Sequence, residues 1–366
     1  MFQRLNLRAH MPFPGASLLR KWITERSPLP DILAFLSSKE VPRHRHSFWY
    51  YFGGLTLFFF CVQLLTGILL SLYYQPAQEH AYESIRRIVN DVPQGWLIRS
   101  LHAWSAHLMV AMILVHMFSV FLVKAYRKPR EMMWFSGVVL LLLVFGFGFT
   151  GYLLPWDTRA YFATLIGTEV PKSLPLVGSW GVSLIKGADY IGEETLNRMY
   201  SLHVIILPLA AVLFITFHLL YNQYSGVSIP VGTSQTRPAI PFFPDFVYRD
   251  ALAWLAGFAV LIALATLVPR ELGEKADPMA SAPAGIKPEW YFLPLYQTLR
   301  MVPSSLLGIN GELIVNGAVG ILIGLWALIP FVDRRSAKGL KSPVFTAIGI
   351  CIIVYLAGTI FAGYFT

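Results

Sequence analysis

The sequence predicts an all-α membrane protein with seven transmembrane helices, of which the first four form a bundle and the last three follow it. Three observations predict this fold class. The 366 residues are 55% hydrophobic and only 13% charged, which is too apolar for a soluble domain. Seven runs are long enough to cross a bilayer, since a spanning helix needs about 20 mostly apolar residues. Two of these runs carry pairs of histidines at nearly equal intervals.

We name the predicted transmembrane helices spans A to G. They cover residues 49–72, 100–123, 134–155, 202–221, 251–269, 313–332 and 343–364. Before span A, the stretch "ASLLRKWITERSPLPDILAFLSS" is typical of amphipathic surface helices interrupted near Pro28 and Pro30. The pattern divides the chain into an N-terminal segment (1–47), a four-helix domain (48–224) and a three-helix C-terminal domain (225–366).

The distribution of lysine and arginine predicts the orientation, because basic residues stay preferentially on the cytoplasmic side. The N-terminal segment and the B–C, D–E and F–G loops hold 18 Lys and Arg against 7 Asp and Glu, and the opposite side holds 11 against 13. We therefore expect a cytoplasmic N terminus and an external C terminus. The net charge of +9 then lies beside anionic lipid headgroups, which explains it without any nucleic acid.

Histidines recur at matching intervals on spans B and D. His102 and His116 on span B are 14 residues apart, and His203 and His218 on span D are 15 apart. At about 100° per residue, 14 steps return to within roughly 40° of the starting face, and 15 steps overshoot by roughly 60°. The helical rise separates the two histidines of each span by roughly 21–22 Å, so one lies near each membrane face.

This spacing predicts two bis-histidine sites stacked across the bilayer, His102 with His203 and His116 with His218. Two imidazoles with no carboxylate or thiolate nearby suit haem iron better than zinc, which usually takes four ligands. His107, also on span B, has no counterpart on span D. It is interpreted as a hydrogen-bonded packing residue or a proton relay.

Glycines repeat at the same interval on spans A and C. Gly53 and Gly67 are 14 residues apart, as are Gly137 and Gly151. A haem edge lying against a helix needs a position without a side chain, although close helix packing alone also selects glycine. Together with the histidines, these intervals favour a bundle of spans A to D around two haems.

These features resemble the cytochrome b subunit of quinol-oxidising cytochrome bc complexes of respiration and photosynthesis. The resemblance rests on the paired histidines, the repeated glycines, "GYLLPWD" at 151–157 and "PEWYFLP" at 288–294. The interval on span D, "LPWD" and the seven spans resemble the photosynthetic type. In that type the helices are divided between a four-helix and a three-helix polypeptide, whereas here they are fused.

The resemblance implies a quinol:cytochrome c oxidoreductase, or one with a plastocyanin-like acceptor, that oxidises quinol at the external face and passes one electron across the membrane to a cytoplasmic-side quinone site. It implies two non-covalent b-type haems, the outer on His102 and His203 and the inner on His116 and His218. Arg99 and Arg198 resemble the partners of haem propionates. The cysteine that attaches an extra haem in the photosynthetic type is replaced by Tyr51, so we expect that haem to be absent.

The resemblance also implies partners and a location. Since the chain carries no ligand set for an iron–sulfur cluster, a Rieske-type iron–sulfur protein and a c-type cytochrome subunit are expected, together with membrane lipid. The complex is expected to be a homodimer in a bacterial cytoplasmic membrane, where electron transfer would build a proton-motive force.

The "PEWY" segment suggests the catalytic groups. Read locally, Pro288 and Glu289 form an ordinary helix start. By resemblance, Glu289 accepts a proton from quinol and Tyr291 is its neighbour in the pocket, with Trp156 and Asp157 in the pocket wall. Asp157 is equally compatible with a helix-end role. We expect the 38 residues from Asp157 to Glu194 to form short surface helices that cover this site.

For the cytoplasmic-side quinone site the candidates are interfacial residues: His44, His46, Lys128, Arg130 and Tyr221. Two other classes remain open at this point. A dihaem membrane anchor of a dehydrogenase would lack the "PEWY" element. A transporter with intramembrane proton relays would show inverted repeats, and the sequence shows none.

Overall fold

The computed structural model describes residues 14–175, 178–235 and 237–365, and residues 1–13 of the predicted N-terminal segment lie outside this range. Within the described residues, seven helices are long and apolar enough to cross a membrane. They cover Ser47–Ser71, Gly95–Leu122, Glu131–Tyr152, Glu193–Ser225, Phe242–Leu267, Gly311–Ala337 and Pro343–Phe365. Each overlaps one predicted span, so the predicted number and order of spans A to G are confirmed.

Four of the spans are composite. Span A joins a 3₁₀ turn, Ser47–Tyr50, to the α-helix Tyr51–Ser71. Span E joins the turn Phe242–Phe246, which is interrupted at Phe243, to Val247–Leu267. Span F continues from Gly311–Val332 into Arg334–Ala337. Span D consists of Glu193–Ser201, a π-helical turn at Leu202–Ile206 and Leu207–Ser225.

The π turn in span D decides where His203 lies. The backbone N–H of Leu207 donates to the carbonyl of Leu202, five residues back. Pro208 follows and has no N–H to continue the ordinary ladder. A π turn inserts one extra residue into a helix. The 15-residue interval between His203 and His218 therefore has nearly the angular effect of the 14-residue interval on span B.

Shorter elements close the two ends of the bundle. One end carries four short helices, a 3₁₀ turn and a pair of short strands. These are the helices Ala81–Asn90, Thr158–Glu169, Gly178–Lys186 and Leu293–Met301, the turn Val170–Ser173 and the strands Ser305–Leu306 and Ile309–Asn310. We call this the Glu289 end. The opposite end of the bundle, which we call the His44 end, carries two helices, Pro14–Arg26 and Leu29–Ser38, and two antiparallel strands, Glu40–Arg43 and Arg237–Pro241.

Packing divides the first four spans into two pairs. Span A packs along span B, span C packs along span D, and span E lies against spans A and B. At the Glu289 end, Leu153, Trp156 and Leu196 are almost completely buried in an apolar cluster beneath the surface helices. The expected short helices between Asp157 and Glu194 are present, and this cluster holds them on the bundle.

Candidate functional site

The two predicted histidine pairs come together with the same spacing. The ring centroids of His102 and His203 are 6.3 Å apart, and those of His116 and His218 are also 6.3 Å apart. Two metal–imidazole bonds of about 2.0–2.1 Å each, added to the radii of the two rings, give roughly this separation. The separation therefore leaves room for one metal ion between the two imidazoles of each pair.

The donor set fits iron that already has other ligands. Among the described residues, no group of three or more His, Cys, Asp or Glu side chains could hold a metal ion. Two imidazoles would leave zinc with half of its usual four ligands, whereas haem iron needs only axial ligands from the protein. The four histidines thus fit two haems better than two bare ions.

A threonine fixes the orientation of His102. Thr66 Oγ1 donates its proton to the carbonyl of Val62 at 2.6 Å and lies 2.9 Å from His102 Nδ1. Because a hydroxyl has one proton, Thr66 can only accept a hydrogen bond from the Nδ1–H of the imidazole. This leaves the lone pair of His102 on Nε2, where it is free to bind a metal.

The same arrangement occurs at two of the other histidines. Thr150 Oγ1 lies 3.1 Å from His203 Nδ1, and Ser136 Oγ lies 3.0 Å from His218 Nδ1. Each hydroxyl also donates to a backbone carbonyl, so each accepts from its histidine. His116 differs, since its Nδ1 is buried and has no hydrogen-bond partner in the described chain.

The sequence interpretation missed these hydroxyl groups, although a signal for them exists. A serine or threonine immediately precedes the repeated glycine at 66–67, 136–137 and 150–151, whereas Phe52 precedes Gly53. The hydroxyl-glycine pair therefore marks the three histidines that have an oriented Nδ1.

The four glycines lie against the imidazoles. A Cβ atom at Gly53 would lie 3.1 Å from His116 Cε1, and one at Gly151 would lie 2.5 Å from His203 Cε1. Gly67 faces His102 and Gly137 faces His218, each at 3.3 Å. The sequence interpretation placed a haem edge at these positions, and the structure adds a close contact with a histidine of the neighbouring span. A side chain at these positions would displace the ligand ring.

The two arginines assigned to haem propionates are engaged with backbone carbonyls at the Glu289 end. Arg99 donates to the carbonyls of Arg270 and Glu271. Arg198 donates to those of Ser183 and Leu184, at 3.1 and 2.6 Å. Arg99 therefore connects span B to the E–F connection, Arg198 connects span D to the helix Gly178–Lys186, and contact with a propionate remains a prediction.

Glu289 lies in a partly enclosed pocket with His107 and Arg270. Its Oε1 lies 3.4 Å from Arg270 Nη2, and its Oε2 lies 3.9 Å from His107 Nε2. The Glu289 side chain is 20% exposed. Burial raises the pKa of this carboxyl, and the positive charges of Arg270 and Arg159 oppose the rise. The carboxyl is therefore poised to exchange a proton above the usual range of a glutamate.

Aromatic rings form the wall beside Glu289. Tyr291 packs against Phe145, Trp290 and Phe292. A Cβ atom at Gly148 of span C would lie 2.8 Å from the Tyr291 hydroxyl oxygen, so this glycine makes room for the ring. Burial also raises the pKa of Tyr291. The phenol therefore stays neutral.

The "PEWY" segment does not form the start of a helix, which is what its local sequence alone suggested. The helix begins at Leu293, four residues after Glu289. Glu289 instead accepts a backbone hydrogen bond from Phe292 in a turn before that helix. Its side chain contacts Arg270 in the pocket and is not a first-turn acid of the helix.

Trp156 and Asp157 have structural contacts. The Trp156 ring is 1% exposed and packs edge-on against Tyr161. Asp157 accepts a hydrogen bond from the backbone N–H of Ala160 at 2.9 Å and caps the helix Thr158–Glu169. The helix-end role considered for Asp157 is thus the one that the structure shows.

A cavity of about 720 Å³ opens between spans A to D at the His44 end. His116 and His218 line its deeper part, and His44, His46 and Arg130 line it nearer the surface. Lys128 and Tyr221 are not among its lining residues. Arg130 also donates to the carbonyls of residues 225 and 226. The volume falls within the usual range of ligand sites.

Asp250 is a cavity residue that sequence reasoning missed. Its carboxylate lines this cavity and lies directly against Gly54, and its Oδ1 is buried without a hydrogen-bond partner in the described chain. The predicted span E began at residue 251, which left Asp250 in a loop. Span E instead begins at Phe242, so the acid lies inside the helix. The sequence did contain a signal for this residue, because Asp250 immediately precedes the apolar run of span E.

Tyr51, which the resemblance places at the position of the haem-binding cysteine, lies at the start of the α-helix of span A. Its ring stacks on Phe246 of span E, with the centroids 5.2 Å apart and the planes 7° apart. The expectation that no covalent haem attaches here rests on the residue type alone.

Two family models match the chain. The model described as Cytochrome b/b6/petB matches residues 36–226, and the one described as Cytochrome b(C-terminal)/b6/petD matches residues 275–364. The second range includes the "PEWY" segment, which the dihaem-anchor alternative lacks. The two parts are therefore fused in one chain, as the sequence predicted.

The chain is also similar to individual cytochrome b proteins and to a solved structure. The cytochrome bc complex cytochrome b subunit of Chlorobaculum thiosulfatiphilum is 49% identical over 339 residues, which are 92% of this chain and 78% of that protein. The cytochrome b6 of Cyanidium caldarium is 45% identical over 210 residues, 57% of this chain and 97% of its own length. A solved hyperthermophilic respiratory Complex III matches with a TM-score of 0.83 and 28% identity, covering 94% of this chain and 91% of that one.

Proposed function

The chain belongs to the cytochrome b/b6 family of membrane-embedded subunits of bc-type oxidoreductase complexes, and on that premise we propose that it oxidises quinol beside Glu289 and transfers one electron across the membrane through two b-type haems. The single observation that carries the proposal is the repeated geometry of the histidine pairs, 6.3 Å between centroids at two levels of one bundle. When bound, the haems would supply two one-electron carriers stacked between the faces of the membrane.

The chain's own residues prepare the haem sites. The hydroxyls of Thr66, Thr150 and Ser136 hold three imidazoles with Nε2 available for iron. The glycines of spans A and C admit the imidazoles closely, so the rings cannot rotate freely. This preorganisation favours retention of the haems without a covalent bond to the protein.

At the Glu289 end, Glu289 would act as the proton acceptor. Oxidation of a quinol to a quinone releases two electrons and two protons. A Rieske-type iron–sulfur protein and a haem held by His102 and His203 would supply the two one-electron acceptors, and the carboxylate of Glu289 would accept one proton from a quinol hydroxyl. Tyr291 would bound the pocket and exclude water from the reacting hydroxyl. The second proton would leave directly to the external solution.

At the His44 end, the cavity beside His116 and His218 would hold the quinone that is reduced. Asp250 and the exposed Glu40 are the acids in its wall, and Asp250, which lies against Gly54 of span A, is the candidate proton donor. Protons taken up here and released at the Glu289 end would build a proton-motive force. The sidedness follows from the charge bias of the loops.

The partners and the setting belong to the same proposal. The chain would assemble with a Rieske-type protein and a c-type cytochrome as a homodimeric complex in a bacterial cytoplasmic membrane. Quinol:cytochrome c oxidoreductase is the activity we propose, with a plastocyanin-like protein as the other possible acceptor.

The test is a redox titration of the visible haem bands in the purified complex, with Glu289→Gln alongside. We expect two b-type components in both proteins, and quinol oxidation slowed about 100-fold or more in the variant, which lacks an ionisable group. Since the base must be ionised, the wild-type rate should fall as the pH drops below the raised pKa of Glu289, and the variant should lose this acid limb. A preparation that binds no haem would refute the proposal. Unchanged turnover in the variant would remove Glu289 from the chemistry.

A further inference from the structure

His107 lies next to the proposed proton acceptor although it belongs to neither haem site. It follows His102 by five residues on span B and is 15% exposed. Its Nε2 lies 2.7 Å from Arg270 Nη2, and its Nδ1 lies 3.1 Å from the indole nitrogen of Trp290. Arg270 in turn lies 3.4 Å from Glu289. The four residues come from span B and from the connection between spans E and F.

Within hydrogen-bonding distance, both ring nitrogens of His107 face groups that can only donate, since the Glu289 carboxylate is 3.9 Å away. The guanidinium of Arg270 and the indole N–H of Trp290 have no acceptor atoms. A neutral imidazole has a lone pair on one nitrogen only. The two contacts therefore cannot be hydrogen bonds at the same time, and His107 must favour Arg270 in one tautomer and Trp290 in the other.

Arg270 Nη2 can join His107 to Glu289. This nitrogen carries two hydrogens, one for His107 Nε2 and one for Glu289 Oε1. The guanidinium lies over the Trp104 ring, 5.3 Å from its centroid, which restricts its movement. Arg99 holds the backbone carbonyl of Arg270. Among the described residues, His107 Nε2 and Glu289 Oε1 are the side-chain atoms that this guanidinium reaches within hydrogen-bonding distance.

The charge on Glu289 depends on every ionisable group that faces it. Two cations oppose the effect of burial, Arg270 and, farther along the pocket, Arg159, while Asp157 adds to it. Tyr152 on span C is within electrostatic range, and its buried hydroxyl has no hydrogen-bond partner in the described chain. The other facing groups are His107 and Tyr291. Of these groups, only Arg270 is a cation in contact with the carboxylate.

We propose that His107 is a positioning residue for quinol oxidation, which rests on the function proposed above: its Nε2 accepts a hydrogen bond from Arg270 and so holds the guanidinium against the Glu289 carboxylate. The indole N–H of Trp290 competes for the same imidazole and weakens this bridge. When the bridge is intact, Glu289 stays ionised at a lower pH than burial alone would allow. When Glu289 takes a proton, the bridge loses its charged partner, and the other tautomer of His107, with the proton on Nε2 instead of Nδ1 and the lone pair facing Trp290, becomes more favourable.

The test is the pH profile of quinol oxidation by the purified complex. In His107→Phe the acceptor is lost, so the acid limb should move to higher pH by about 0.5–1 unit, a three- to tenfold loss of rate on the limb. His107→Gln should restore the wild-type limb, because its amide oxygen can accept from Arg270. Trp290→Phe removes the competing donor and should move the limb to lower pH.

Controls separate this role from simple packing. His80→Phe makes the same change at an exposed residue of the Glu289 end and should leave the limb in place. Equal shifts in His107→Phe and His107→Gln, or no shift in His107→Phe with both haem bands intact, would overturn the proposal. Should His107→Phe fail to assemble, Arg270→Gln must show the upward shift, and a wild-type limb there would overturn it as well.

Failure of the function itself would look different. In that case the wild-type complex would not oxidise quinol, or Glu289→Gln would keep the wild-type rate and acid limb. A complex that loses the limb in Glu289→Gln but keeps it unchanged in His107→Phe would retain the function and reject only the role of His107.

Discussion

Thr66 accepts a hydrogen bond from His102, because its own proton is committed to the carbonyl of Val62. The hydroxyl therefore holds the imidazole in the tautomer that can bind iron through Nε2. It also increases the electron-donating strength of the ring by stabilising positive charge on Nδ1–H. One side chain on span A thereby orients a histidine on span B.

Thr66→Val keeps the shape of the side chain but removes this acceptor. Loss of such a partner typically weakens metal binding or activity about 10- to 100-fold. We expect one of the two b-type components to be retained less well and to titrate at a higher midpoint potential, since the imidazole donates less strongly to ferric iron. Redox titration of the haem bands measures both effects. Thr216→Val, at a hydroxyl on an exposed face of span D, is the matched control and should change neither component.

Gly151→Ala tests the close contact between spans C and D. The added Cβ would lie 2.5 Å from His203 Cε1 and must push the ring away. Overpacking of this kind costs about 1–3 kcal/mol. We expect the variant to lose the haem held by His102 and His203 and to keep the other, which a haem-to-protein ratio near half of the wild-type value would show. At Gly146 the nearest atom would be 3.5 Å away, so Gly146→Ala should keep both haems.

Gly148→Ala tests the wall of the quinol pocket. The new Cβ would lie 2.8 Å from the hydroxyl oxygen of Tyr291 and would move a ring that is packed among other aromatic residues. Misplacement of a pocket group by about 1 Å can cost about 100-fold in rate. We expect slower quinol oxidation with normal haem bands. Gly317→Ala on span F meets nothing within 4 Å and should behave as the wild type, so equal turnover in the two variants would argue against a pocket at Tyr291.

Asp250→Asn removes one of the two acids that line the cavity at the His44 end, and the exposed Glu40 remains. If this carboxyl supplies protons to the quinone, reduction there should slow by about 100-fold, while quinol oxidation at Glu289 continues until the haems are filled. The b-type bands should therefore remain reduced after rapid mixing with quinol. Asp245→Asn changes an exposed acid of the same span and serves as the control. Normal reoxidation of the bands in Asp250→Asn would exclude the proton-donor role.

The span boundaries show where prediction from the sequence was sufficient. Seven apolar runs predicted seven helices, because the length and hydrophobicity that a bilayer requires are properties of continuous sequence. The boundary of span E was wrong at its start. Polar and proline residues interrupt hydropathy there, yet the helix continues through Asp250 since its carboxylate lies in an internal cavity rather than in lipid.

The histidine intervals show how far the helical period predicts side-chain positions, and where it fails. In a regular helix, the 14-residue interval on span B brings His102 and His116 close to the same face. The 15-residue interval on span D would place His203 and His218 about 60° apart around the helix axis. The π turn at Leu202–Ile206 removes this difference. The sequence contains Pro208, which has no backbone N–H. Whether a helix forms a kink or a π turn at such a residue depends on the side chains that pack around the helix.

By itself, the sequence determined the membrane class, the order of seven spans, the two levels of histidine and the matching interval of the glycines, because hydropathy and helical period are read along one chain segment at a time. Only the tertiary structure decided that His107, Arg270 and Glu289 meet, and that Asp250 faces the cavity of His116. Arg270 lies 163 residues from His107 in the chain. No local pattern relates residues so far apart, since their contact exists only after separate helices have packed and a connecting loop has closed over them.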